Sequence, residues 1–201
     1  MEITHIYFGG SFYPPHKAHT EMLQLALKAA PEAELLIVPT KQNPLKSTPG
    51  AEISLINAWI EDLGSTLSYQ EFSRCRLETI ELQSVDEKNY TVKTLKKLIS
   101  PNEQWALLLG SDSAVKFKEW KEPKEILSLL DEVWIVPRGH KSENETETQI
   151  KEILHSLNPH CSLRFFNKVT DISSSQIRDG ALSQPLNEFL SPKVLSVWKQ
   201  L

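Results

Sequence analysis

Apolar positions fall in short blocks along the chain, and their internal spacing is of two kinds. Residues 3–8 form an apolar run closed by Gly9-Gly10, which predicts a buried strand. Over 16–30, His19, Met22, Leu23, Ala26 and Ala30 share one helical face, and Pro31 stops the helix. Residues 35–38 predict a second buried strand, followed by Pro39. Residues 40–50 read as a loop. A helix is predicted over 53–63, with Leu55, Ile56, Trp59, Ile60 and Leu63 as its stripe. Residues 76–82 carry a weak strand pattern, and 91–99 predict a helix with Val92, Leu95, Leu98 and Ile99 inward. Further strands are expected over 105–109, 133–136 and 163–166. Helices are expected from Ser111, over 123–130, 150–157 and 173–182, and from Pro192, with Ser191 as its cap. Residues 143–148 are polar and read as a mobile surface stretch.

Strand and helix alternate throughout, which predicts an α/β fold: a Rossmann-like, doubly wound, mostly parallel sheet with helices on both faces. No repeat or interdomain linker is evident. The expectation is one domain over 1–201, with the helices from about residue 173 packed onto it. A chain of 201 residues can bury a substantial core.

Composition narrows the function. A formal net charge of -4 argues against a surface built to hold nucleic acid, so an anion site would be a local pocket. The two cysteines are far apart in sequence and form no Cys-x-x-Cys pair, which argues against a disulfide framework or structural zinc. No apolar run approaches membrane-spanning length, and no membrane association is expected. A cytoplasmic location follows as an expectation, and a homo-oligomer stays open.

Three motifs follow predicted strands. The first runs from Gly9 to His19 as Gly-Gly-Ser-Phe-Tyr-Pro-Pro-His-Lys-Ala-His. Two glycines let a ligand approach the backbone, and the loop leads into a helix start that favours an anion. His16 and His19, three residues apart, lie on one side of that first turn and can donate to phosphate oxygens. The segment is neither a dinucleotide Gly-x-Gly-x-x-Gly nor a P-loop. The second motif is Gly110-Ser111-Asp112-Ser113, whose carboxylate suits ribose hydroxyls or a metal, with Trp120 downstream as an aromatic plane for a ring. The third is Ile172-Ser-Ser-Ser-Gln-Ile-Arg178, where hydroxyls can cap a helix or bind phosphate and Arg178 can make paired bonds to it. Taken singly, these motifs also fit a tight turn, a dipole-favoured Asp, a core aromatic and a serine-capped helix.

In this order and spacing, with Asn43-Pro-Leu-Lys46 and Tyr90-Thr91 between them, the motifs resemble the nucleotidyltransferases marked by a His-x-Gly-His element, and most closely bacterial nicotinate-nucleotide adenylyltransferase. The resemblance spans about residues 6–178. It implies adenylyl transfer from ATP to nicotinate mononucleotide, giving deamido-NAD and pyrophosphate in NAD biosynthesis, with Mg²⁺ accompanying ATP and no metal held by the protein alone. It implies ATP contacts from Gly9, Gly10, Ser11, Phe12, His16, His19, Gly110, Asp112, Ile172, Ser174, Ser175 and Arg178. Acceptor contacts would come from Lys46, Tyr90, Thr91, Trp120 and Arg138, and catalysis would rest on His16, His19, Lys46 and Arg178.

The chain departs from the family pattern at several places. Ala18 stands where Gly is usual, Tyr13 where Asp or Asn is usual, and Leu45 where His is often found. No arginine occurs in the predicted helix over 53–63. The Ala18 methyl is expected close to the nucleotide. Competing readings are a nicotinamide mononucleotide enzyme, another adenylyl- or cytidylyltransferase of the superfamily, and a nucleotide-binding module without catalysis.

Overall fold

The computed structural model describes residues 2–42, 44–45, 50–84, 88–138 and 143–201. Six strands, β1 (His5–Gly10), β2 (Glu34–Pro39), β3 (Cys75–Leu77), β4 (Trp105–Gly110), β5 (Glu132–Val136) and β6 (Ser162–Phe165), form one sheet. All neighbours are parallel, in the order β3-β2-β1-β4-β5-β6. The helices are α1 (Lys17–Ala29), α2 (Ile53–Thr66), α3 (Tyr69–Phe72), α4 (Thr91–Leu98), α5 (Ser111–Ala114), α6 (Pro123–Ser128), α7 (Glu143–Leu157), α8 (Ser174–Arg178) and α9 (Pro192–Trp198).

Successive strand residues face opposite sides, and here both sides are buried. Ile6, Phe8, Leu35, Ile37, Ala106, Leu108, Trp134 and Val136 pack with Met22, Leu23, Ala26 and Leu27 of α1 and Leu55, Ile56, Trp59 and Leu63 of α2. Tyr7, Leu36, Val38, Leu107, Leu109, Val133 and Ile135 pack on the other side. Their partners there are Val92 and Leu95 of α4, Ile126 and Leu127 of α6, and Ile150 and Leu154 of α7. Two buried faces explain why the strands read as continuous apolar runs.

The strand order reverses between β1 and β4. These two strands pair only as far as Tyr7 and Leu107. Beyond that point β1 stays with β2 to Gly10, and β4 stays with β5 to Gly110. The strands therefore part toward their carboxyl ends and open a crevice, the place where ligands bind in such sheets.

Some elements differ from expectation. Residues 143–148 are helical, the first turns of α7. The Ile150 and Leu154 stripe anchors that helix, while Asn144, Glu145 and Thr148 are exposed and Lys151 is paired to Glu147 at 3.4 Å. The helix expected over 173–182 ends at Arg178, and Gly180 turns the chain with φ +67°. The weak strand pattern over 76–82 is realised only as the three-residue edge β3. Ser191 precedes α9, but its side chain makes no cap bond. Asp62 of α2 does so instead, its Oδ2 accepting from the N–H groups of Lys193 at 3.0 Å and Val194 at 3.3 Å. Short helix α3 and the 3₁₀ turns Phe117–Glu119 and Leu186–Glu188 went unread in the sequence.

Candidate active site

The crevice is a cleft of about 540 Å³, within the range of ligand sites. Gly9, Gly10 and Ser11 line it from the end of β1, Asp112 and Ser113 from α5, Tyr90 and Thr91 from the start of α4, and Trp120 from the segment before α6. The cleft thus brings the glycine loop, the Asp112 carboxylate and the aromatic plane to one place. Trp120 is backed by Phe117, with ring centroids 4.9 Å apart and planes at 28°. That support fixes one face of the indole and leaves a rigid platform for a ring.

Gly110 permits the approach of two charged groups. A Cβ there would lie 2.6 Å from Asp112 Oδ1 and 3.1 Å from Arg138 Nε. Asp112 is gripped by Arg138 through two bonds, Nε to Oδ1 at 2.9 Å and Nη2 to Oδ2 at 2.5 Å. The Ser111 hydroxyl accepts from the Arg138 N–H at 3.1 Å and donates to its carbonyl at 3.2 Å. Arg138, expected at the acceptor, is therefore joined to the residue expected at the ATP ribose.

His16 stands at the N-cap position of α1 and is buried, and it lines a second pocket of about 340 Å³ with Thr20, Trp59 and Asp62 rather than the main cleft. His19 is half-buried in the first turn. Its Nδ1 accepts the His16 N–H at 3.2 Å, which leaves Nε2 to carry the proton of the neutral ring. That tautomer makes Nε2 a donor, as a phosphate oxygen requires.

Ala18 is fully buried and packs in the core. Phe12 is also placed in the core by its side chain, against Phe8, His19 and Trp59, with φ +42°. Ile172 is likewise a core side chain.

The third motif braces the first. Ser173 caps α8 and forms a capping box with Gln176. Ser174 donates to the Pro14 carbonyl at 2.9 Å. Arg178 donates to the Tyr13 carbonyl at 2.6 Å and to Ser175 Oγ at 2.9 Å. The Tyr13 ring meets Trp198 edge-on at 5.7 Å, which gives this departure from the family pattern a packing role. Lys46 lies outside the described residues.

Sequence reasoning missed several lining residues, among them Tyr7, Glu81, Asn89 and Lys116. The signal for two of them was a polar group inside an apolar run, a phenol in β1 and the carboxylate of Ile80-Glu81-Leu82. Burial and the adjoining Glu81 carboxylate push the Tyr7 phenol well above its ordinary range, against a smaller opposing effect of the Thr91 and Thr94 hydroxyls.

A parallel sheet in this order, with a glycine loop and an aromatic plane at its switch point, is the frame of a ligand-binding α/β protein. Residues 7–180 match the cytidylyltransferase-like family. The "probable nicotinate-nucleotide adenylyltransferase" of Leptospira interrogans serogroup Icterohaemorrhagiae serovar copenhageni is 32% identical over 94% of this chain and 90% of its own length. The protein of the same description from Aquifex aeolicus is 34% identical over 85% of this chain and 99% of its own. The chain therefore belongs to the cytidylyltransferase-like family and, within it, to the nicotinate-nucleotide adenylyltransferases. A solved structure, Plasmodium falciparum nicotinic acid mononucleotide adenylyltransferase complexed with NaAD, shares the fold. Its TM-score is 0.71 at 22% identity, over 100% of this chain and 96% of that one. Among the described residues no helix is long and apolar enough to cross a membrane.

Proposed function

We propose that the chain transfers the adenylyl group of ATP to nicotinate mononucleotide, giving deamido-NAD and pyrophosphate. The observation that carries this reading is one cleft at the switch point, lined by Gly9, Gly10 and Ser11 together with Tyr90, Thr91 and Trp120. The first group suits the ATP phosphates and the second suits the acceptor's ring. Family membership supports the same assignment.

The acceptor phosphate oxygen attacks the α-phosphorus in line and pyrophosphate leaves. A phosphate monoester is already a nucleophile at neutral pH, so no strong base is needed. Positioning and charge neutralisation supply the rate. In this reading His19 donates from Nε2 to the phosphate oxygens as charge shifts, and Arg178 with Ser174 and Ser175 faces the departing pyrophosphate. His16, at the N-cap position of the same turn, holds His19 in place. Asp112 receives the ribose hydroxyls, with Arg138 fixing its carboxylate. Lys46 adds a cation to the phosphates. Mg²⁺ would accompany ATP and help neutralise its phosphates. Among the described residues no group of three or more His, Cys, Asp or Glu side chains is placed to hold a metal.

The test is pyrophosphate release with ATP and Mg²⁺, comparing nicotinate mononucleotide, nicotinamide mononucleotide and phosphopantetheine. The expected result is a strong preference for the first. Preference for another acceptor overturns the acceptor, and no release from a folded chain that binds ATP overturns catalysis.

A further inference from the structure

Beneath the Tyr90 and Thr91 side of the cleft, two hydroxyls donate to one buried carboxylate. Glu81 is 3% exposed, and its Oε1 accepts from the Tyr7 hydroxyl at 2.9 Å and the Thr94 hydroxyl at 2.7 Å. A carboxylate only accepts, so both protons point toward Glu81 and the Tyr7 oxygen is left as an acceptor. Thr91 lines the cleft from the first turn of the same helix as Thr94. Thr91 opens α4 and Thr94 lies on the same turn, so the carboxylate that accepts from Thr94 and Tyr7 ties this turn to β1.

The arrangement reaches further on both sides. The Glu81 carbonyl accepts from Asn89 Nδ2 at 3.1 Å, and Asn89 Oδ1 accepts the Gln42 N–H at 3.1 Å. The loops after β2 and β3 are thus tied beside the cleft. Toward the phosphate side the link is steric. A Cβ at Gly9 would come 2.6 Å from Tyr7 Cε1, so the phenol ring lies directly against the glycine loop. One side chain spans both halves of the cleft, its ring against the phosphate loop and its hydroxyl behind the ring site.

We propose that Tyr7 and Glu81 are positioning residues for the acceptor, holding Thr91 and the start of α4 at a fixed distance from the Gly9-Gly10 loop. The proposal rests on the assignment of the Tyr90, Thr91 and Trp120 side to the acceptor. Neither residue transfers a proton in the reaction. Their effect is on where the acceptor's ring lies, and so on how well its phosphate lines up with the α-phosphorus of ATP.

The experiment is steady-state kinetics of wild type, Tyr7→Phe, Glu81→Gln and Glu81→Ala, with ATP and nicotinate mononucleotide each varied and melting curves recorded. Tyr7→Phe keeps the buried ring and removes only the hydroxyl that ties β1 to Glu81. It is expected to raise the KM for nicotinate mononucleotide about fivefold, the worth of one hydrogen bond, with the KM for ATP nearly unchanged. Glu81→Gln, whose amide oxygen still accepts from both hydroxyls, should fall between wild type and Glu81→Ala. An unchanged acceptor KM in folded Tyr7→Phe, or equal rises for both substrates, overturns the positioning role. If wild type does not use nicotinate mononucleotide, the acceptor assignment fails instead. Tyr7→Phe is then measured with whichever acceptor wild type adenylylates, and an unchanged KM there overturns the positioning role as well.

Discussion

The imidazoles of His16 and His19 lie face to face, their centroids 3.7 Å apart and their planes within 26°, while the His16 N–H donates to His19 Nδ1. The stack and the bond together fix the outer ring's plane and its tautomer. His19→Ala should fold, since alanine suits a helical first turn. Turnover should fall on the order of a hundredfold or more, the effect of removing one transition-state donor. Near-normal turnover in a folded His19→Ala protein would remove His19 from the reaction.

Trp120 rests on Phe117 and lines the cleft beside Glu119 and Lys116. Trp120→Ala should raise the half-saturation of nicotinate mononucleotide by about tenfold, a loss of stacking worth ~1.4 kcal/mol, and that of ATP much less. Initial rates with each substrate varied in turn decide it. Equal increases would place the indole elsewhere than under the acceptor.

Asp62 is buried, and its carboxylate caps α9 from another helix. Asp62→Ala leaves two N–H groups of that helix without this partner and should cost about 1–2 kcal/mol. In urea the midpoint should drop with an unchanged slope. An unaltered midpoint would show that water replaces the cap at no cost.

Cys75 and Cys161 are the two free thiols, and burial pushes each up to about 11. A raised thiol pKa keeps the reactive thiolate scarce until the pH nears that value. At pH 7.5 fewer than about one in a thousand should be ionised. Native protein should therefore react slowly with an aromatic disulfide reagent, and denatured protein should react at once with both thiols. Rapid labelling of the native state would contradict the burial.

The frame of the molecule was legible because two buried faces impose simple patterns. The short apolar runs around Ile6, Leu36, Leu107 and Val133 matched the strands, and the stripes of α1, α2 and α4 matched the helices. What escaped depended on partners distant in sequence. Ser191 looked like a cap, yet the acceptor comes from Asp62. Residues 143–148 looked unstructured because their own composition is polar, whereas the helix is anchored by Ile150 and Leu154 beyond them. Glu81 escaped because its donors, Tyr7 and Thr94, lie 74 residues before it and 13 after.

The bonds from Ser174 to the Pro14 carbonyl and from Arg178 to the Tyr13 carbonyl join residues 160 and 165 positions apart. At a synthesis rate of ~5–20 residues per second, the glycine loop leaves the ribosome on the order of ten seconds before its braces exist. The glycine loop is made first and completed only with those braces, so a nascent chain carries it unbraced throughout that interval.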